Sequence, residues 1–357
     1  MDLASCGGWP GLLSRLMTGQ DLSADEAAAA FDEVLAGRST PAQLAGFLVA
    51  LRVKGEAVPE MAGLVRSLVA HAEKVPVPDG LGDRLVDTCG TGGDRSHSIN
   101  VSTMSALVVA GAGAVVCKHG NRALSSQTGS ADLLEELGVA IDLPPDGVAR
   151  CLAEAGLAFC FAPRYHPAMR HAGPTRRELG VATAFNFLGP LVNPARPRRQ
   201  VVGVSDPAMA DTLLGVLADQ GATRAMVVFG HDGLDELTTT TTSTVVELHE
   251  GAVRRWQVDP AALGIPAATP DQLRGAGPAA NAEVTRRVLD GETGPHRDLV
   301  ALNAAAAIVV AGIAGDLAGG LEAARASLDE GAAAAALERL VAVSRSAVPV
   351  EASTGSE

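Results

Sequence analysis

The spacing of hydrophobic positions along this 357-residue chain changes near residue 80. Before that point apolar residues recur every three or four positions, the signature of one helix face. Ser23-Ala24-Asp25-Glu26 is a capping box that opens an alanine-rich helix stopping near Gly37. Thr40-Pro41 starts the next helix, Leu44, Phe47, Leu48 and Leu51 form its stripe, and Gly55 closes it. Pro59 begins another, carrying Leu64, Leu68 and His71. Such stripes serve a core or a subunit interface, and spacing alone does not separate the two. Pro76-Val77-Pro78-Asp79-Gly80 reads as a hinge-like linker.

From Leu85 the pattern becomes short β-rich runs alternating with helical stretches. Strands are predicted at 84–88, 114–117, 157–161, 200–204, 225–229 and 245–249. Helices are predicted at 101–110, 131–137, 146–155, 208–220, 281–290, 298–314 and 320–343, the last broken near Gly331. A further helix is read from His166-Pro167 to Glu178, a second linker at 194–198, and a strand or extended loop at Thr238–Thr244. This alternation predicts an α/β fold: a small all-helical N-terminal domain over 1–80, then a large α/β domain over 81–345 with a mostly parallel central sheet. Residues 346–357 read as a flexible polar tail.

Composition narrows the class. No uninterrupted apolar span of 18 residues is present, so no membrane-spanning helix is expected. The N-terminus lacks the basic flank and long apolar stretch of a signal peptide. Five cysteines (Cys6, Cys89, Cys117, Cys151, Cys160) without C-x-x-C spacing speak against a disulfide framework or a zinc site and fit a reducing cytoplasm. The net charge of −13 argues against non-specific nucleic-acid binding. An anion site on such a chain needs locally gathered cations, for which Lys118, Arg122, Arg176 and Arg177 are candidates.

The chemistry concentrates between Asp87 and Leu137. A strand end runs into Gly90-Thr91-Gly92-Gly93-Asp94, where glycines permit positive φ and let N–H groups converge on an anion. With 40 glycines in the chain, a bare G-x-G-G arises by chance roughly 0.5 times, so the loop alone decides nothing. Asn100-Val101-Ser102-Thr103 stands at a helix start, whose free N–H groups favour phosphate. A third strand end delivers Lys118-His119-Gly120-Asn121-Arg122, followed by Ser125-Ser126. Three such elements within about 40 residues point to a phosphate-bearing ligand. Asp235-Glu236 suits a hard cation such as Mg²⁺ or a solvated acidic turn. His119 either orients an aromatic acid or caps a turn. Arg176-Arg177 supplies either a carboxylate clamp or surface charge.

These motifs carry a resemblance. GTGGD, N-x-S-T, KHGNR with Ser-Ser, G-S-A-D-x-L-E-x-L-G, HP-x-x-R, R-x-x-L-G-x-x-T-x-F-N-x-L-G-P-L-x-N-P and DGLDELTTTT resemble the anthranilate phosphoribosyltransferases over roughly residues 10–345. The resemblance implies a fold of the nucleoside phosphorylase and phosphoribosyltransferase type, with residues 163–190 packing against the helical domain. It implies transfer of 5-phosphoribosyl from phosphoribosyl pyrophosphate to the amine of anthranilate, in tryptophan biosynthesis. The matching substrate-binding positions are Gly90, Gly93, Asp94, Ser98, Asn100, Val101, Ser102, Thr103, Lys118, His119, Gly120, Asn121, Arg122, Ala123, Leu124, Ser125, Ser126, Ser130 and Arg176. Gly90, Asn121, His166 and Arg176 match the anthranilate positions, and Ser102, Asp235 and Glu236 the metal positions, with two Mg²⁺ per subunit. A homodimer through the helical domain is implied as well. No strong general base emerges, so catalysis would rest on positioning and on stabilising the leaving group, with Lys118 and His119 assisting. The rival readings are a pyrimidine nucleoside phosphorylase and a non-catalytic, nucleic-acid-binding relative of the same fold. Arg95-Ser96-His97, Leu124 and Cys89 depart from the pattern without removing a motif residue.

Overall fold

In the computed structural model, which describes residues 1–123 and 127–349, the helical and α/β regions follow one another along the chain. The first four helices are α1 (Gly8–Met17), α2 (Ala24–Leu35), α3 (Pro41–Lys54) and α4 (Val58–Ala70). Capping boxes at Ser23 and Thr40 set the starts of α2 and α3, and Gly55 at φ 91° ends α3. Helices α2 and α4 cross so closely that a Cβ on Gly63 would stand 2.3 Å from the Ala24 carbonyl oxygen.

The α/β region opens with β1 (Leu85–Gly90), α5 (Val101–Gly111) and β2 (Val115–Gly120). It continues through α6 (Ser130–Glu136), α7 (Pro145–Ala155), β3 (Leu157–Phe161), α8 (Ala162–Tyr165), α9 (Gly173–Leu179) and α10 (Phe185–Leu188). Next come β4 (Arg199–Gly203), α11 (Ala210–Asp219), β5 (Arg224–Gly230), β6 (Ser243–His249) and β7 (Ala252–Val258). The chain finishes with α12 (Pro278–Leu289), α13 (Pro295–Ala311), α14 (Leu317–Asp329) and α15 (Ala332–Ser346). The seven strands form one sheet in the order β3-β2-β1-β4-β5-β6-β7. All pairs from β3 to β5 are parallel, and β6 and β7 add antiparallel. Strand order reverses between β1 and β4, the place where open α/β sheets bind ligands at the carboxyl ends of their strands.

Two apolar clusters flank the sheet. One joins it to α5, α7, α13, α14 and α15. Helix α13 has a buried, alanine-rich surface nearly all round, as a helix sandwiched between layers must. The other cluster runs from α1–α4 through Phe185, Phe187, Leu188 and Leu191 to α11 and the opposite sheet face. The helical region therefore has no separate core: its apolar stripes complete the second layer, and Phe31 meets Phe185 at 5.6 Å. No helix among the described residues is long and apolar enough to cross a membrane.

Four local readings of the sequence need correction. The helix read over His166–Glu178 is two pieces, a 3₁₀ turn at Pro167–His171 and α9, because Pro174 lacks the N–H a continuous helix requires. Strand β7 is absent from the sequence reading; its exposed Arg254-Arg255 pair masks the alternation, and Glu250-Gly251, both at positive φ, form the tight turn of a hairpin. Of the run Thr238–Thr244, Ser243-Thr244 is strand, the start of β6, while Thr238–Thr242 is a turn gathered on Asp232, which accepts the Thr238 and Thr240 hydroxyls. His166 is corrected with the site below.

Candidate functional site

A cleft of about 380 Å³ lies over the carboxyl ends of β1 and β2. Gly90 and Gly203 end adjacent parallel strands and make room for the Asp235 segment. A Cβ on Gly203 would fall 1.6 Å from the Asp235 carbonyl oxygen, and one on Gly90 2.6 Å from its Oδ2. The glycine loop then turns at Gly92 and Gly93, with φ 66° and 87°. Its path is fixed from both sides: Gly92 N–H donates to Asp235 Oδ2 at 2.8 Å, and Ser205 Oγ donates to the Gly92 carbonyl at 2.8 Å.

Helix α5 begins at this loop. Its N-cap residue, Asn100, makes no cap bond; Nδ2 donates to the Thr128 carbonyl, and Oδ1 accepts from Asn281 at 2.9 Å. The side chain thereby joins the loop to two other segments at the cleft rim. Ser98, Val101, Ser102 and Thr103 also line the cleft. From β2, Lys118 reaches in with Nζ 2.5 Å from the Thr88 carbonyl and 3.2 Å from Ser102 Oγ. Gly120, Asn121, Ala123 and Ser130 follow along the wall. Arg122 also lines it, but its guanidinium is held by Asp132 and Glu135 and lies over the Phe161 ring. Leu124, Ser125 and Ser126 lie outside the described residues.

Buried charge is the site's main electrostatic feature. Asp235 and Glu236 are 8% and 9% exposed. Burial, then the Asp94 charge, pushes the Asp235 carboxyl up to about 7. Burial and Asp235 raise Glu236 well above the usual range, against the pull of Lys118. Asp94 Oδ2 is buried without a hydrogen-bond partner among the described residues. Beneath the floor, Asp87 accepts from Asn193 Nδ2 and the His119 N–H; burial raises it and Lys118 lowers it. Lys118 is thus the cation between two carboxylate levels. No ready-made cage of three or more His, Cys, Asp or Glu ligands is found among the described residues.

At the opposite wall, His119 Nδ1 lies 3.1 Å from the Gly189 carbonyl, which can only accept, so Nδ1 carries the proton. Its Nε2 is buried without a partner among the described residues, and burial lowers the imidazole to about 3. His166, read as an anthranilate contact, does not line the cleft. The tight 3₁₀ turn that follows it leaves the ring buried edge-on behind His119, centroids 5.2 Å apart, and lowered to about 4 by burial. Arg176 on α9 does line the cleft, half-buried, with no hydrogen-bond or ion-pair partner among the described residues; desolvation lowers it. Arg177, its neighbour, is exposed.

Thr91, named with the glycine loop, and Arg95 and His97, named as departures from the pattern, line the cleft without an assigned role. Thr128, Gly129 and Asn186 line it although the sequence reading does not single them out as cleft residues. Thr128-Gly129 stands directly before the start of α6 and is legible as a helix entry. Asn186 lies between Phe185 and Phe187, which pack in the second apolar cluster. Its own side chain caps the Thr183 N–H at the cleft edge.

Comparison with known proteins places these features in a family. Residues 10–72 match the helical bundle domain of the glycosyl transferase family, and residues 82–334 its a/b domain. The chain is 56% identical to an anthranilate phosphoribosyltransferase of a Nocardioides species, over 94% of this chain and 98% of the relative. A Salinispora arenicola anthranilate phosphoribosyltransferase is 52% identical over 96% and 98%. Among solved structures, that of the Thermus thermophilus enzyme gives a TM-score of 0.87 at 42% identity, covering 93% of this chain and 99% of that one. The Saccharomyces cerevisiae enzyme in complex with PRPP and Mg gives 0.85 at 26%, covering 95% and 98%. A helical bundle completing one face of a parallel sheet, a cleft at the strand reversal and identity above half over nearly the full length agree: the chain belongs to the anthranilate phosphoribosyltransferase family.

Proposed function

We propose that this cleft transfers the 5-phosphoribosyl group of phosphoribosyl pyrophosphate to the amine of anthranilate, releasing pyrophosphate, with Mg²⁺, as a step of tryptophan biosynthesis. The observation that carries this reading is Arg176: an unpaired, desolvated guanidinium facing a phosphate-type glycine loop across one cleft. A half-buried arginine without a partner calls for a ligand carboxylate, which its planar fork binds at two points. Asn121 and Gly90 border the same space.

On the donor side, the Gly93 N–H, the α5 start with Asn100, Ser102 and Thr103, and Lys118 and Ser130 hold phosphate and ribose oxygens. The fit to Mg²⁺ rests on the donors themselves: an Asp94 oxygen buried without a partner among the described residues, and two carboxyls raised first by burial and then by a neighbouring carboxylate, Asp94 for Asp235 and Asp235 for Glu236. Ser102, Asp235 and Glu236, with Asp94, would hold the metal, at two ions per subunit. A set of oxygens that does not close into a cage suits a hard cation that keeps waters and substrate phosphates. Bound there, the metal supplies charge neutralisation for the leaving pyrophosphate.

The chain's own residues do the rest. Arg176 holds the carboxylate so that the neutral amine faces the ribose C1. As the C1–O bond to pyrophosphate breaks and the C–N bond forms, the amine becomes an acidic arylammonium. His119 Nε2 is a free acceptor, and even an imidazole lowered to about 3 can take a proton from so strong an acid. Exposed Met17, Val49 and Val53 on neighbouring α1 and α3 support a homodimer through the helical face. Five unpaired cysteines suit a reducing cytoplasm.

Purified protein should quench anthranilate fluorescence only with phosphoribosyl pyrophosphate and Mg²⁺ together. Quenching without the donor, or none with all three, overturns the reading. Light scattering of the parent and of Val53→Glu tests the dimer; a monomeric parent refutes it.

A further inference from the structure

We propose that Arg95 is a donor-contacting residue whose guanidinium grips the diphosphate end of the phosphoribosyl donor. The inference rests on the donor reading of the cleft and adds a cation to it. Arg95 lines the cleft directly after Asp94. Its φ is 59°, in the left-handed region that a residue with a Cβ enters only at an energetic cost. The loop around it is pinned: Ser205 Oγ holds the Gly92 carbonyl, and the Gly275 N–H holds the His97 carbonyl at 2.8 Å. His97, at φ 55°, is explained by that second pin and by the pairing of Ser98 with Arg274. Arg95 has no such explanation. Among the described residues neither its backbone nor its guanidinium has a hydrogen-bond or ion-pair partner. Strain held in place without any internal contact that repays it is characteristic of binding segments.

Charge points the same way. The chain carries a net charge of −13, and the cleft holds Asp94, Asp235 and Glu236, yet Arg95 pairs with none of them. Lys118 spends two of its three N–H donors on the Thr88 carbonyl and Ser102, and Arg122 is held by Asp132 and Glu135. Arg176 belongs to the acceptor side on the reading above. A donor with phosphates at both ends therefore meets, at the glycine loop, one uncommitted guanidinium adjacent to the metal-binding carboxylates. Its fork matches two oxygens of one phosphoryl group.

The test is calorimetric titration with inorganic pyrophosphate in Mg²⁺, alongside the steady-state Michaelis constant for anthranilate. Arg95→Ala and Arg95→Gly should each weaken pyrophosphate tenfold or more, Arg95→Lys should recover part of that loss, and the anthranilate constant should not move. Arg95→Gly should also melt above the parent, since glycine accepts the left-handed backbone freely; this separates strain from charge and guards against a misfolded alanine variant. Unchanged pyrophosphate affinity in both variants, with an active parent, refutes the role of Arg95 alone. A parent that neither binds pyrophosphate nor consumes anthranilate refutes the donor site and this inference with it.

Discussion

The carboxylate of Asp235 accepts the backbone N–H of Gly92 at 2.8 Å, across 143 positions of sequence. An internal anion thus sits on the loop that is shaped to receive an external one. The bond preorganises the Gly92 peptide, whose carbonyl Ser205 holds from the other side. The bond favours the charged carboxylate, yet burial and then the neighbouring Asp94 charge outweigh it and raise Asp235 to about 7. The site is therefore built at the expense of stability, and that trade is measurable.

The first prediction concerns this trade. Asp235→Asn with Glu236→Gln removes two buried charges while keeping their shapes. Without metal, the variant should melt higher than the parent. Turnover should fall at least about a hundredfold, since metal stabilisation of a leaving group is worth several kcal/mol. Mg²⁺ should raise the melting temperature of the parent and not of the variant, by linkage. An equal Mg²⁺ shift in both would remove the pair from the metal site.

Gly90 supplies a sharper geometric test. A Cβ there would lie 2.6 Å from Asp235 Oδ2, whereas one on Gly93 would meet nothing closer than Ser205 Oγ at 3.7 Å. Gly90→Ala must therefore displace the carboxylate. Gly93→Ala only forces a left-handed alanine, at roughly 1–2 kcal/mol of stability. Mg²⁺-dependent donor affinity should fall further in Gly90→Ala, and melting temperature further in Gly93→Ala. The reverse ranking would mean that Asp235 takes no part in holding the metal.

Arg176→Ala should raise the Michaelis constant for anthranilate about tenfold to a hundredfold, the loss of a charge-assisted bond worth about 1.5–3 kcal/mol. Donor binding by calorimetry should barely change. Because the guanidinium is desolvated and unpaired, its removal should not lower the melting temperature. Equal weakening of both ligands would place the residue elsewhere.

Much of this is legible from residues alone, for identifiable reasons. Capping boxes at Ser23 and Thr40 and glycine stops are local signals, so the helix starts can be read directly. Parallel strands buried on both faces read as continuous apolar runs, and those also stand out. Strand β7 escapes because an edge strand is protected by charge, here Arg254 and Arg255, which hides its period. The depth of His166 escapes because a histidine beside a proline looks the same whether it faces a cleft or lies behind another ring. The committed state of Arg122 depends on Asp132 and Glu135, ten and thirteen positions away, and a motif does not show a side chain's partner. Arg95 shows in the sequence only as a departure from family pattern; its left-handed backbone is a tertiary fact.

The last prediction follows from the two buried imidazoles. His119 and His166 are each 6% exposed and lowered from 6.5 to about 3 and about 4. Between those values and 6.5 the unfolded chain binds protons that the folded chain refuses. Stability contributed by the neutral pair is therefore complete above pH 6.5 and is lost as pH falls toward 4, on the order of a few kcal/mol. Asp235 opposes this: an acid raised to about 7 makes the fold more stable as pH falls. The two contributions separate by variant. His166→Phe keeps a ring in the same space, touches no cleft surface and removes one titrating group. Its melting temperature should fall less steeply than the parent's between pH 6.5 and 4.5, while turnover at pH 7.5 stays near the parent's. His119→Phe should flatten the same curve but lower turnover, because it removes the free Nε2 acceptor. At saturating Mg²⁺, which keeps Asp235 ionised, turnover of the parent should show no loss of a base near pH 6.5, since His119 remains neutral well below it. Parallel melting curves for the parent and His166→Phe would show that these rings are not buried in their neutral form. At saturating Mg²⁺, a rate that collapses through pH 6.5 in the parent and not in His119→Phe would show that His119 titrates as an exposed histidine and not as the buried ring described above.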